Sequence, residues 1–129
     1  MYAGLMASPI IGQGDIDDLV IFNVNRLELD KNRNSAVLLG LDKATGMEVW
    51  AEYLDADSVS SPVAVYNEDG TSFIVVGDDN GVLRLMDGFN GTTINTVNLE
   101  GPIQASPAVY GNRIVVGTTS GMLFFIDIK

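Results

Sequence analysis

At 129 residues, 47% apolar and 19% charged, the chain has the size and composition of one folded domain and is too apolar to stay disordered. A formal net charge of −10, from seven Lys and Arg against 17 Asp and Glu, argues against nucleic acid and against an anionic membrane surface as partners. With no Cys and no His, thiol nucleophiles, disulfides, thiolate or imidazole metal sites and any Ser-His-Asp triad are excluded.

In chain order, Met1-Tyr2-Ala3-Gly4-Leu5 has neither a basic start nor a long apolar stretch, so no signal peptide is expected. No apolar run approaches the ~18 residues of a membrane span, and no membrane insertion is expected. Short apolar, β-branched runs then alternate with Gly, Asn, Asp and Ser clusters. They predict strands over 7–11, 18–24, 36–42 and 47–54, then 61–66, 72–77, 82–87 and 92–99, and finally 104–110, 113–117 and 122–127. Pro9, Pro62 and Pro107 lack a backbone donor, which places them at a strand start or a sheet edge. Asp79-Asn80-Gly81 is expected to turn the chain as a type I′ hairpin. The connection 25–34 is long beside the turns at 78–81 and 118–121. It carries Arg26, Glu28, Asp30, Lys31 and Arg33, and reads either as a protruding hairpin or as a binding element.

The runs repeat. Ile74-Val75-Val76-Gly77 recurs as Ile114-Val115-Val116-Gly117, and Gly81, Leu83 and Asp87 recur as Gly121, Leu123 and Asp127. Ser8-Pro9, Ser61-Pro62 and Ser106-Pro107 open successive copies, and Leu41-Asp42 matches Met86-Asp87. A repeat of about 40–45 residues holding four short strands is the signature of a β-propeller. The expected fold is therefore all-β, a partial propeller of about three four-stranded antiparallel blades. The blades span about 7–54, 61–99 and 104–127, the last without its outer strand.

Gly40-Leu41-Asp42-Lys43-Ala44-Thr45-Gly46-Met47-Glu48-Val49-Trp50 resembles the tryptophan-docking motif of propeller repeats of the pyrroloquinoline-quinone (PQQ) type. The resemblance extends to the Ser-Pro openings and the glycine turns, and so covers nearly the whole chain. It implies that Trp50 packs between neighbouring blades, while Asp42, Thr45 and Gly46 fix the corner between the third and fourth strands. The second copy departs from the pattern, with Asn90 where Thr is expected and Asn95 where Trp is expected. Quinone-dependent dehydrogenases of this family use eight blades and a vicinal Cys pair, so neither quinone nor dehydrogenase activity is expected here. The remaining relatives are non-catalytic scaffolds, among them the outer-membrane assembly lipoprotein, and surface or secreted repeat proteins. The resemblance thus implies a bacterial, extracytoplasmic binding module for a protein, peptide or carbohydrate.

Asp55, Asp57, Asp78 and Asp79 are expected on one rim of the blades. They read either as solvated turn residues or as oxygen ligands for Ca²⁺. On the other rim, Asp15, Asp17, Asp18, Glu68 and Asp69 offer the same two readings. A cation-dependent or carboxylate-dependent enzyme is the alternative to a binding module, and a purely structural repeat is a third reading. A blade packs both of its faces, so an arc of three leaves two apolar faces to be covered. A homodimer closing a ring, or the remaining blades of a longer chain, would cover them.

Overall fold

The computed structural model describes residues 8–30, 33–54, 56–58, 60–111 and 113–127, and for 25–30 and 33–35 only the backbone is described. Three antiparallel sheets follow one another along the chain. Sheet 1 comprises β1 (Ile10–Ile11), β2 (Leu19–Asp30), β3 (Arg33–Asp42) and β4 (Glu48–Leu54), side by side in chain order. Sheet 2 repeats this with β5 (Val63–Tyr66), β6 (Ser72–Gly77), β7 (Val82–Asp87) and β8 (Thr93–Asn98). Sheet 3 has β9 (Ala108–Tyr110), β10 (Arg113–Gly117) and β11 (Leu123–Asp127), with β10 in the middle. Among the described residues there is no α-helix, only a 3-10 turn at Gly14–Ile16.

The registers are equivalent. Asp42 pairs with Leu19, Asp87 with Phe73 and Asp127 with Arg113. Successive side chains of a strand point to opposite faces, so a strand covered on both sides must be apolar at every position. That is the reason for the unbroken run Phe73-Ile74-Val75-Val76. Ile74 and Val76 join Ile16, Leu19, Ile21, Leu38, Trp50 and Met86 in one core between sheets 1 and 2. Val75 joins Val65, Leu83, Ile103, Ile114 and Val116 in a second core between sheets 2 and 3. Each such side chain contributes roughly 1.5–3 kcal/mol on full burial.

Three expectations need correction. The first strand of each sheet is shorter than predicted, starting at Ile10, Val63 and Ala108. The Ser-Pro residues before them have turned toward the neighbouring sheet: Ser61 Oγ accepts the Ser8 amide (2.9 Å), and Ser106 Oγ accepts the Ser61 amide (2.8 Å). The second and third strands of sheet 1 run past the predicted 18–24 and 36–42, with Leu27 opposite Ser35, Glu28 opposite Asn34 and Asp30 opposite Arg33, so the backbone of this connection is a hairpin extension, as one of its two readings had it. The side chains of its charged residues, and Lys31 altogether, lie outside the description. Finally, the 78–81 turn is not a two-residue type I′ loop. The Gly81 amide bonds to the Asp78 carbonyl (3.1 Å), the Asp78 amide bonds to Val82 (3.1 Å), and Gly81 takes a positive φ of 84°. A turn closed by a left-handed glycine needs one more residue than the primed turn.

Candidate functional site

The corner of sheet 1 is built from its own side chains. Asp42 Oδ1 accepts the amides of Ala44 (2.8 Å) and Thr45 (3.0 Å), and Thr45 Oγ1 accepts the amide of Met47 (3.2 Å). Gly46, at φ 74°, returns its amide to the Asp42 carbonyl (2.8 Å). In sheet 2, Asp87 Oδ1 takes the amides of Phe89 (2.8 Å) and Asn90 (3.3 Å), and Asn90 Oδ1 takes Thr92 (2.9 Å). Asn90 therefore does by its amide oxygen what Thr45 does by its hydroxyl, which explains how the corner tolerates that exchange.

Trp50 leaves β4 toward sheet 2 and is 7% exposed. Its Nε1 donates to the Gly88 carbonyl (3.1 Å), satisfying the one polar atom of the ring. Gly40 lies against the ring: a Cβ there would stand 2.7 Å from Cε2. Gly91 lies equally close to the six-membered ring and needs its positive φ besides. The residues equivalent to Gly40 and Trp50 in sheet 2 are Leu85 and Asn95, which are likewise paired. Beside them, between β8 and β11, lies a cleft of about 310 Å³ whose walls include Leu85, Asn95, Val97, Ile126 and Asp127.

Of the acidic candidates, Asp57, Asp78, Asp79, Asp15 and Asp69 are placed by turn and loop hydrogen bonds or by burial. Asp78 is buried, and its Oδ1 accepts the amides of Asn80 (2.9 Å) and Val82 (3.1 Å). Asp57 offers its backbone carbonyl to the Asp79 amide (2.9 Å). Asp79 Oδ1 is buried and meets no hydrogen-bond donor among the described residues. Asp55 lies outside the described residues. On the other rim, Asp69 Oδ1 accepts the Thr71 amide (3.0 Å), and these hydrogen bonds hold its carboxyl below the usual range. Asp15 is tied by its amide to the Gly70 carbonyl (3.0 Å). The Tyr66 hydroxyl accepts the Gln13 amide (3.1 Å), and partial burial, aided by the Asp15 charge, raises its pKa. Among the described residues no group of three or more carboxylates is arranged to hold a metal ion.

Composition and spacing did not single out a polar junction between sheets 1 and 2. Asn23 is fully buried, and its Nδ2 donates to the carbonyls of Ser58 (2.8 Å) and Ser60 (3.3 Å). The hydroxyls of Ser58 and Ser60 both donate to the Gly77 carbonyl. Asn23 stands opposite Leu38 as Gly77 stands opposite Leu83. At the next junction the Ser58 position is taken by Ile103, whose side chain fills the space a Cβ on Gly77 would need. A large polar and small polar pair at one junction thus replaces a glycine and large apolar pair at the other.

No curated protein matches the sequence. Among solved structures, BamB from Moraxella catarrhalis matches with a TM-score of 0.63 at 20% identity, over 98% of this chain and 36% of that one. The Cps50 (Swd1) β-propeller domain of Myceliophteria thermophila matches with a TM-score of 0.60 at 12% identity, over 98% of this chain and 38% of that one. The computationally designed Ika4 protein matches with a TM-score of 0.61 at 12% identity, over all of this chain and 94% of that one. The chain therefore spans about a third of the natural propellers it resembles. Their likeness establishes the β-propeller fold. A family model described as "Outer membrane protein assembly factor BamB" matches residues 33–129. With the three equivalent sheets and the docked Trp50, that match establishes that the chain belongs to this PQQ-type propeller repeat family.

Proposed function

We propose that the chain is a non-catalytic binding module whose partners are proteins, and that it recognises them as extended segments of alternating apolar and polar residues. The observation that carries this reading is the match of residues 33–129 to a family named for outer membrane protein assembly. Transmembrane β-barrels are built from strands of that alternating kind, so such segments are the chemistry an assembly factor meets. Propellers spend their apolar side chains between sheets and leave the loop rims for recognition. The rim feature that departs most from the repeat is the paired extension of β2 and β3, 12 and 10 residues long against six each for β6 and β7. On this reading no quinone or Ca²⁺ is required, and the aspartates act as turn formers.

The test is fluorescence anisotropy with labelled peptides of about 10 residues copied from outer-membrane barrel strands, beside scrambled peptides of the same composition. The alternating peptides are expected to bind at least about tenfold more tightly, a difference of about 1.4 kcal/mol. Replacing 25–34 by a tight turn is expected to weaken binding without lowering the melting temperature. Equal binding of scrambled and alternating peptides, or no binding of either, would overturn the proposal.

A further inference from the structure

Two kinds of contact are made twice inside the chain, once at each junction. The first is apolar. Ile74 and Val76 of sheet 2, and Ile114 and Val116 of sheet 3, are the side chains each sheet turns back toward the sheet before it, and all four are at most 3% exposed. The second is polar. The Ser8 amide donates to Ser61 Oγ and the Ser61 amide to Ser106 Oγ. The Asp79 amide likewise donates to the Asp57 carbonyl, and the Thr119 amide to the Pro102 carbonyl (2.9 Å each).

The two outer faces of the stack carry the two halves of this junction. By register, Val20 and Phe22 of sheet 1 occupy the positions of Ile74 and Val76, and both are half-buried. Tyr110 and Leu123 of sheet 3 occupy the positions of Val65 and Leu83. They are 86% and 61% exposed, where Val65 and Leu83 are 6% and 4%. Phe125, at the position of Leu85, is 63% exposed. Among the described residues no other sheet covers the forward face of sheet 3 or the backward face of sheet 1, and the two faces are complementary by construction. Val20 and Phe22 repeat positions that are buried elsewhere in the same molecule, and so do Tyr110 and Leu123 on the three strands of sheet 3.

We infer that the chain associates head to tail with a second copy of itself. The outer face of sheet 3 covers Val20 and Phe22 of the second copy, and the serine ladder continues from the Ser106 amide to Ser8 Oγ of that copy. The interface is heterologous, so two copies that meet at both ends close a ring of six sheets with two equivalent junctions.

The test uses the full 129-residue chain and two variants, Leu123→Glu on sheet 3 and Phe22→Glu on sheet 1, with masses read by light scattering coupled to size exclusion. Wild type from about 1 to about 100 µM is expected to run at twice the monomer mass or more. Each variant alone is expected to lose association at least about tenfold, because its damaged face is needed at both junctions. The decisive arm is the equimolar mixture, in which one intact sheet 3 face meets one intact sheet 1 face and a one-to-one dimer returns. A face-to-face dimer through sheet 3 alone would leave Phe22→Glu fully dimeric, and that result overturns the proposal. So does a wild type that is monomeric throughout, or a mixture that stays monomeric while both variants keep native circular dichroism. Val20→Glu and Phe125→Glu form a second pair should either first variant fail to fold.

Discussion

Replacing Trp50 by Ala is expected to remove about 4 kcal/mol of stability. Emptying a buried tryptophan site costs about 3–5 kcal/mol, the upper part of the range applying where the walls cannot close in. Here two of the walls are backbone, at Gly40 and Gly91, and each belongs to a strand pair or corner already fixed by hydrogen bonds. Within that cost, about 1 kcal/mol is the lost Nε1 bond to the Gly88 carbonyl. Against a total stability on the order of 5–15 kcal/mol, the variant should melt roughly 10–20 °C lower. Far-UV circular dichroism is the assay, because Trp50 is the single tryptophan and its removal abolishes the fluorescence signal. Trp50→Phe keeps most of the ring and loses the donor, and should cost about 1–2 kcal/mol. In the wild type the buried indole should emit at short wavelength and shift to the red when the junction between sheets 1 and 2 opens. A loss below about 1 kcal/mol for Trp50→Ala would refute the reasoning, since it would mean that the glycine walls relax into the space.

Asn23→Gly and Ser58→Ile should each destabilise alone, whereas the double variant converts the first junction to the chemistry of Gly77 and Ile103. A double-mutant cycle by urea unfolding should give a favourable coupling of about 1–3 kcal/mol, and simple additivity would count against equivalence of the two junctions. Asp78→Ala leaves the amides of Asn80 and Val82 without their acceptor and should cost about 1–2 kcal/mol. Millimolar Ca²⁺ should leave the melting temperature of the wild type unchanged, and a clear rise would restore the aspartates as ligands. Tyr66 has a raised pKa in the folded state, so the stability it lends is complete below the ordinary tyrosine pKa and is lost as pH rises through the folded value. Tyr66→Phe should therefore flatten the fall of the melting temperature above about pH 10, and an unchanged alkaline limb would refute that assignment.

The strands of sheets 2 and 3 were legible because a covered sheet writes its pattern at every position and the glycines mark each reversal. The recurrence of Ile-Val-Val-Gly identified equivalent strands before any contact was known. The starts of β1, β5 and β9 were less legible, since Ser8, Ser61 and Ser106 trade ladder bonds for bonds to the next sheet, and nothing local announces a partner some 50 residues away. The extension of β2 and β3 was legible only as a protruding hairpin without strand bounds, because a solvated ribbon tolerates charged residues as readily as a loop does. The aspartates were recognised as a rim, but their spacing could not reveal that Asp78 is bound to its own turn. Asn23 and Ser58 carry a signal only in comparison, where an asparagine replaces the Gly of positions 77 and 117 and a serine replaces Ile103.

Of the three sheets, sheet 2 alone has a neighbour on each side, with Ile74 and Val76 in one core and Val75 in the other. In a stack where each unit touches only its neighbours, opening the middle breaks two junctions and opening an end breaks one. In a single copy, as in Leu123→Glu or Phe22→Glu alone, amide protons should then exchange with solvent in a graded order, slowest along β6, faster in β2 and β3, and fastest in β9 to β11. Such a single copy should come apart as a column does, from its ends inward, and its last protected amides should be those of Ile74, Val75 and Val76.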